Sequence, residues 1–289
     1  MQTKLAYKYE LQRFFKILND KNFQEITFED LMLWKNSIQH KATSSQARGI
    51  VCLKEFFKFC KQMALIEMNP AEYITSPRVY QKEPEILNVV ESKKLMKMIE
   101  IDVNTVLNLK IRNRAIVTIL LGLGLRVGEV VNLNIGDVFQ QNGYDALRVY
   151  GKGGKERIIR MTNTIRDFVL EYIKTERQGV ANNEPLFLGE SFNHGNGLAR
   201  IRIKIPAIER IVDYYAKMGE FKKRITPHTL RHTCFTLELT HGANIKEIQY
   251  QAGHESIETT QRYLHILDKM KNSASENHPL FADFKEAEK

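Results

Sequence analysis

A chain of 289 residues has room for one large or two modest cores, and 43 % hydrophobic residues with few glycines and prolines suffice to fill them. The net charge of +9 points to a polyanionic partner, nucleic acid first. The spacing of Cys52, Cys60 and Cys234 excludes a disulfide scaffold, and no apolar run reaches the roughly 18 residues of a membrane span, so a soluble cytoplasmic protein is expected.

Residues 1–76 read as a helical module. "KYELQRFFKILND" repeats apolar residues at helical spacing, "TFEDLMLWKNSIQH" opens with Thr27 and Asp30 as a capping pair, and "SSQARGIVCLKEFFKFCKQMALI" supplies a longer third helix. A short fourth helix is expected after Asn69 and Pro70. Phe14, Phe15, Trp34, Phe56 and Phe57 share stripes with leucines, which places them in a core. Lys35, Lys41, Arg48, Lys54 and Lys58 form a face open to water or to phosphates.

"TSPRVYQKEPEIL" has two prolines and little periodicity and marks a linker at residues 77–84. The second domain, residues 85–270, opens with helical patterns in "ESKKLMKMIE" and "LNLKIRNRAIVTILLGLG". The period changes in "ALRVYGKGGKERIIRM", where residues 147–150 and 157–160 alternate around glycines as the strands of a hairpin. Helical spacing resumes over 164–174 and 204–218, then in "HTLRHTCFTLELTHG", "NIKEIQYQAG" and "SIETTQRYL". Residues 271–289 lose the core pattern but keep Leu280, Phe281 and Phe284, which mark a tail with something to dock against.

Several polar residues intrude on these apolar patterns. Arg126 follows "LLGLGL" directly and precedes Glu129; it reads either as a structural ion pair across one helical turn or as a guanidinium facing an anion. Lys152 lies at the tip of the glycine-rich hairpin with Lys155 beside it, where a lysine can merely solvate a turn or donate a proton to a leaving group. In "HTLRH", His228 and Arg231 nearly share a helical face and His232 follows at the next turn. Zinc is disfavoured there, because Thr229 stands where a metalloprotease helix needs its glutamate, whereas an arginine between histidines suits an anionic ligand. His254 sits just past the helix cap expected at Gly253, and Tyr263 comes two turns into the next helix. A phenol with a pKa near 10 attacks only a strongly activated acceptor, such as a phosphodiester whose charge is neutralised.

The set Arg126, Lys152, His228, Arg231, His254 and Tyr263 resembles the catalytic signature of the tyrosine recombinase family, also called the phage integrase family. The matching boxes are "GLRVGEVVNL", "YGKGGKERIIRM", "HTLRHTCFT" and "AGHESIETTQRYLH", which occur in the family's order. Gly128, Val130, Cys234 and Gln251 depart from the residues common in the family, and none of these departures removes a reacting group.

The resemblance implies a mainly α fold: an N-terminal helical core-binding, SAM-like domain and a mostly helical catalytic domain with a small β-sheet. It implies that Tyr263 attacks the scissile phosphate to leave a 3'-phosphotyrosyl bond, that Arg126 and Arg231 hold the non-bridging oxygens, and that Lys152 protonates the leaving 5'-oxygen. His228 would help to accept the tyrosine proton and bind phosphate, His254 would donate to a phosphate oxygen, and Glu129 would orient the site. No cofactor or metal is implied. The implied partner is double-stranded DNA with an inverted-repeat core site, bound as a homodimer and brought to a tetramer at synapsis, where strands pass through a Holliday junction. The length leaves no room for an additional arm-binding domain, which favours chromosome dimer resolution or a simple mobile element; the need for an accessory protein stays open. A type IB topoisomerase-like enzyme and a non-catalytic DNA-binding protein are the alternatives.

Overall fold

The computed structural model describes residues 2–79, 84–193, 197–261 and 263. The chain divides into two compact units, Met1–Lys82 and Glu83–Lys289. The expected docking tail at 271–289 lies outside the described residues.

In the first unit, α1 (Gln2–Ile17), α2 (Phe28–Ser37) and α3 (Thr43–Gln62) surround a core of Phe14, Leu31, Trp34, Ile50, Leu53 and Phe57. Phe14 stands edge-on to both Trp34 and Phe57, the favourable arrangement of aromatic quadrupoles. Phe15 and Phe56 pack against this core half-buried, so the aromatics of the sequence pattern serve packing. Thr27 and Asp30 form the expected reciprocal cap: the Asp30 backbone N–H donates to the Thr27 hydroxyl and the Thr27 N–H to the Asp30 carboxylate. Of the basic residues singled out, Arg48 and Lys58 are exposed, while Lys35, Lys41 and Lys54 are half-buried. The expected fourth helix after Pro70 does not form. The Ala71 N–H is taken by the Asn69 side chain, a local turn that competes with helix, and Ser76 stands before Pro77, where the helical region is disfavoured.

The second unit is built around α5 (Leu107–Gly122), which α4 (Val89–Ile101), α7 (Asn163–Glu176), α8 (Ile205–Met218) and α9 (Pro227–Thr240) all contact. Residues 115–120 of α5 are buried without interruption, which is why this stretch is apolar all round while too short to cross a bilayer. No helix among the described residues is long and apolar enough to cross a membrane. The turn at the end of α5 leads into α6 (Val127–Asn132), and α10 (Ile245–Ala252) follows α9.

The expected hairpin is present but longer, as β2 (Tyr144–Tyr150) and β3 (Glu156–Arg160), and β1 (Val138–Gln141) extends it to an antiparallel sheet of order β1-β2-β3. A second antiparallel pair, β4 (Leu188–Asn193) with β5 (Gly197–Arg202), was not read from the sequence. Its turn composition, "NHGNG", is the signal that marks it.

A smaller cluster of Cys234, Phe235, Leu239, Ile248, Ala252 and Tyr263 joins α9, α10 and the segment after α10. This cluster constrains the turn after α5. Gly124 has φ +63°, and a Cβ on it would stand 2.5 Å from the Phe235 ring. Gly124→Ala therefore combines left-handed strain with overpacking and is expected to lower stability by about 3 kcal/mol in urea denaturation. Gly128→Ala, whose Cβ would meet nothing within 4 Å, is the control and should not destabilise.

Candidate active site

Arg126 caps α6, where its backbone N–H donates to Glu129 Oε2 at 2.8 Å and its Nη1 donates to Oε1 at 3.0 Å. Its Nη2 reaches the Gly253 carbonyl at 3.3 Å, and the side chain remains 43 % exposed. The ion pair across one helical turn is present, and it fixes a guanidinium that still faces solvent.

Glu129 is buried and has a second, stronger partner. Arg157, on β3 and itself buried, donates a bidentate pair to the carboxylate at 3.0 and 2.9 Å. Its Nε donates to the Gln251 carbonyl at 2.8 Å. Burial would raise the Glu129 pKa, but the hydrogen bonds and charge of Arg157, with Arg126 behind them, outweigh it and hold the carboxyl below its ordinary value. Arg157 therefore ties the hairpin, the Arg126 turn and the end of α10 into one unit. It also sets a limit at Gly253, which is left-handed and whose Cβ would stand 3.1 Å from the guanidinium.

Arg231 lies on α9 at 2 % exposure. Its Nη1 donates to the Gly124 carbonyl, and its Nη2 donates to the Ala252 carbonyl at 2.6 Å and lies 3.1 Å from His254 Nε2. The guanidinium also lies over the Phe235 ring. Burial, then the nearby charge of Arg126, lowers its pKa to about 10. His254 is oriented from the other side, its Nδ1 standing 3.0 Å from Thr260 Oγ1.

Residues 258–261 and 263 are helical, and Tyr263 is 1 % exposed. Its hydroxyl lies 3.0 Å from His232 Nδ1, and its ring sits 5.6 Å from Phe235 and nearly parallel to the His254 ring at 6.4 Å. His228 is exposed one turn before His232, with the two imidazoles edge to face at 4.4 Å. Among the described residues no group of three or more His, Cys, Asp or Glu side chains is arranged to hold a metal ion.

The structure therefore gathers Arg126, Arg231, His254 and Tyr263 around one point, with His228 adjoining through His232. Lys152 opens the turn Lys152–Gly154 between β2 and β3, where Gly153 and Gly154 both have positive φ; its side chain lies outside the described residues. Beside it Lys155 reaches Glu255, next to His254, at 2.8 Å. Sequence reasoning missed two members of the constellation. Arg157 alternates with Ile159 on the inward face of β3, so a charge at an apolar strand position was its signal. His232 was visible only as the neighbour of His228 and was weighed as a metal ligand.

Two departures from the family pattern meet at one group. Glu238 accepts from Gln251 Nε2 at 2.8 Å and from the Cys234 thiol at 3.5 Å, while its Oε2 is buried with no hydrogen-bond partner.

The phage integrase family model matches residues 86–270, and the N-terminal SAM-like domain model of phage integrases matches residues 1–63. The tyrosine recombinase XerC of Pelobacter propionicus is 34 % identical over 284 residues, covering 96 % of this chain and 89 % of that protein. The tyrosine recombinase XerD of Staphylococcus epidermidis is 30 % identical over 269 residues, covering 90 % of this chain and 86 % of that protein. Among solved structures, XerH recombinase in a post-cleavage complex with its difH substrate has a TM-score of 0.76 at 19 % identity, over 93 % of this chain and 78 % of that one. The XerA recombinase structure has a TM-score of 0.52 at 28 % identity, over 98 % and 92 % of the two chains. The chain belongs to the phage integrase family and is a tyrosine site-specific recombinase.

Glu238 gives this unit a signature in its pH dependence. Burial raises the Glu238 pKa, opposed by the Gln251 and Cys234 hydrogen bonds. With the folded value above the unfolded one, about 4.3, stability from this group is complete below the unfolded value and is lost as pH rises through the folded one. Glu238→Gln should therefore melt above wild type at pH 7.5 and converge with it near pH 4, as read by thermal unfolding at both pH values.

Proposed function

We propose that this recombinase binds double-stranded DNA at an inverted-repeat core site and cuts one strand per protomer through Tyr263. The observation that carries this reading is the convergence of Arg126, Arg231 and His254 beside a buried phenol, with the guanidiniums of Arg126, Arg157 and Arg231 gathered around the Glu129 carboxylate. The anion assigned to this cationic set is a phosphodiester. Arg126 and Arg231 donate to its non-bridging oxygens, His254 donates to one of them, and His228 adds a phosphate contact at the exposed rim.

In the reaction the Tyr263 oxygen forms a bond to phosphorus as the bond to the 5'-oxygen breaks, and Lys152 protonates that leaving oxygen. The product is a 3'-phosphotyrosyl bond and a free 5'-hydroxyl. Attack by the 5'-hydroxyl of another strand reverses the step, so strands exchange through a Holliday junction without ATP. Residues 1–76 serve as the core-binding domain and residues 85–270 as the catalytic domain, joined by the linker at 77–84; the SAM-like match at 1–63 and the integrase match at 86–270 support this division. A homodimer on each site and a tetramer at synapsis follow from one cut per protomer. The role assigned to this chain is chromosome dimer resolution in the cytoplasm; the XerC and XerD relatives, matched over most of their length, support the tyrosine recombinase reaction on which it rests.

The test uses nicked duplexes carrying the inverted-repeat site that the protein selects from genomic DNA. Wild type should form a covalent adduct migrating with the DNA in the presence of EDTA, and Tyr263→Phe should form none while binding the same duplex. Absence of a wild-type adduct, or persistence of the adduct in Tyr263→Phe, contradicts the reading.

A further inference from the structure

The nucleophile's proton needs a destination. A neutral phenol attacks phosphorus poorly, and the proton must leave as the oxygen–phosphorus bond forms. Among the described residues three histidines stand near Tyr263, and their geometry separates them. His254 lies with Nδ1 on Thr260 and Nε2 on Arg231, so both ring nitrogens are engaged elsewhere. His228 is exposed, and its imidazole stands edge to face with the His232 ring. His232 Nδ1 lies 3.0 Å from the Tyr263 hydroxyl. Both residues are buried, at 6 % and 1 % exposure, so bulk water does not replace this contact. Its ring is set by position as well. His232 follows Arg231 on α9, and Phe235, the next residue but two, packs on the same tyrosine ring.

We propose that His232 is a catalytic residue that takes the Tyr263 proton as the phenolic oxygen attacks the scissile phosphate and returns it when the strand is rejoined. The inference rests on the reading of Tyr263 as nucleophile. The O–H electron pair stays on the phenolic oxygen and forms the bond to phosphorus, while the proton passes to His232 Nδ1. The phosphorus–oxygen bond to the 5' side breaks with its electron pair on that oxygen, which takes a proton from Lys152. In rejoining, Lys152 recovers its proton from the attacking 5'-hydroxyl and His232 reprotonates the departing phenolate. The proton role that the family resemblance gave to His228 passes to its neighbour, and His228 keeps the phosphate contact.

His232→Asn keeps a polar side chain of similar reach that can hydrogen-bond the phenol but cannot take its proton. The test measures single-turnover adduct formation on the nicked duplex at saturating protein, with DNA binding and melting temperature followed in parallel. The expected loss is about 100-fold, the scale of general-base catalysis. Replacing Tyr263 by 2,3-difluorotyrosine, whose phenol ionises more readily, should restore about tenfold or more of that loss in His232→Asn and alter wild type by less than about threefold. A 5'-bridging phosphorothiolate, whose sulfur leaves without a proton, should restore Lys152→Ala but not His232→Asn. Three outcomes overturn the proposal: His232→Asn as fast as or faster than wild type, which makes the contact a resting place for the nucleophile; a loss that difluorotyrosine does not relieve; or rescue of His232→Asn by the phosphorothiolate. Should Asn at 232 weaken binding or folding, His232→Gln carries the same comparison. A wild type that forms no adduct refutes the nucleophile reading itself, a result distinct from all three.

Discussion

The buried guanidinium of Arg231 is the constraint around which the catalytic unit is arranged. Among the described residues its hydrogen-bond partners are two backbone carbonyls and an imidazole, and none is a carboxylate. A charge in this setting is costly, as its lowered pKa of about 10 reflects. Two chain reversals are shaped to hold it. Gly124 turns left-handed at the end of α5 and presents its carbonyl, and the end of α10 presents that of Ala252 before Gly253 turns left-handed in its place.

Glu129 keeps the surrounding positive charge from driving the unit apart. It is shared between Arg126, which remains open to solvent, and Arg157, which does not. The two arginines differ in consequence. Arg157 is committed to structure, because breaking a buried bidentate pair leaves an uncompensated charge, while Arg126 keeps an exposed face. Through the Gln251 carbonyl the same network reaches the segment carrying His254 and, beyond it, Tyr263. The phenol therefore belongs both to a small apolar cluster with Phe235 and Ile248 and to a polar contact with His232.

Much of this was legible in the sequence, for identifiable reasons. Helical spacing located α1 to α3 and α7 to α10, because each packs one apolar face on a core. The four boxes located Arg126, Arg231, His254 and Tyr263 without showing how they meet, since contacts between residues more than a hundred positions apart, such as Arg231 with Gly124, leave no local pattern. Arg157 was hidden inside a hairpin that had already been explained by its glycines. The β4–β5 pair escaped notice because no strict alternation accompanies its turn signal, and the short helix after Pro70 was expected because Asn-Pro resembles a helix start where it here makes a turn.

The most direct test of the phosphate role proposed for Arg231 separates charge from shape at the scissile phosphate. Cleavage by Arg231→Ala is compared with wild type on a nicked duplex with the ordinary phosphodiester and on one in which methyl replaces a non-bridging oxygen, making that linkage neutral. If Arg231 serves to neutralise the phosphate, the variant's loss, about 100-fold or more on the ordinary substrate, shrinks by about tenfold or more on the neutral one. An equal loss on both substrates would assign Arg231 to structure alone and contradict the central role given to its charge.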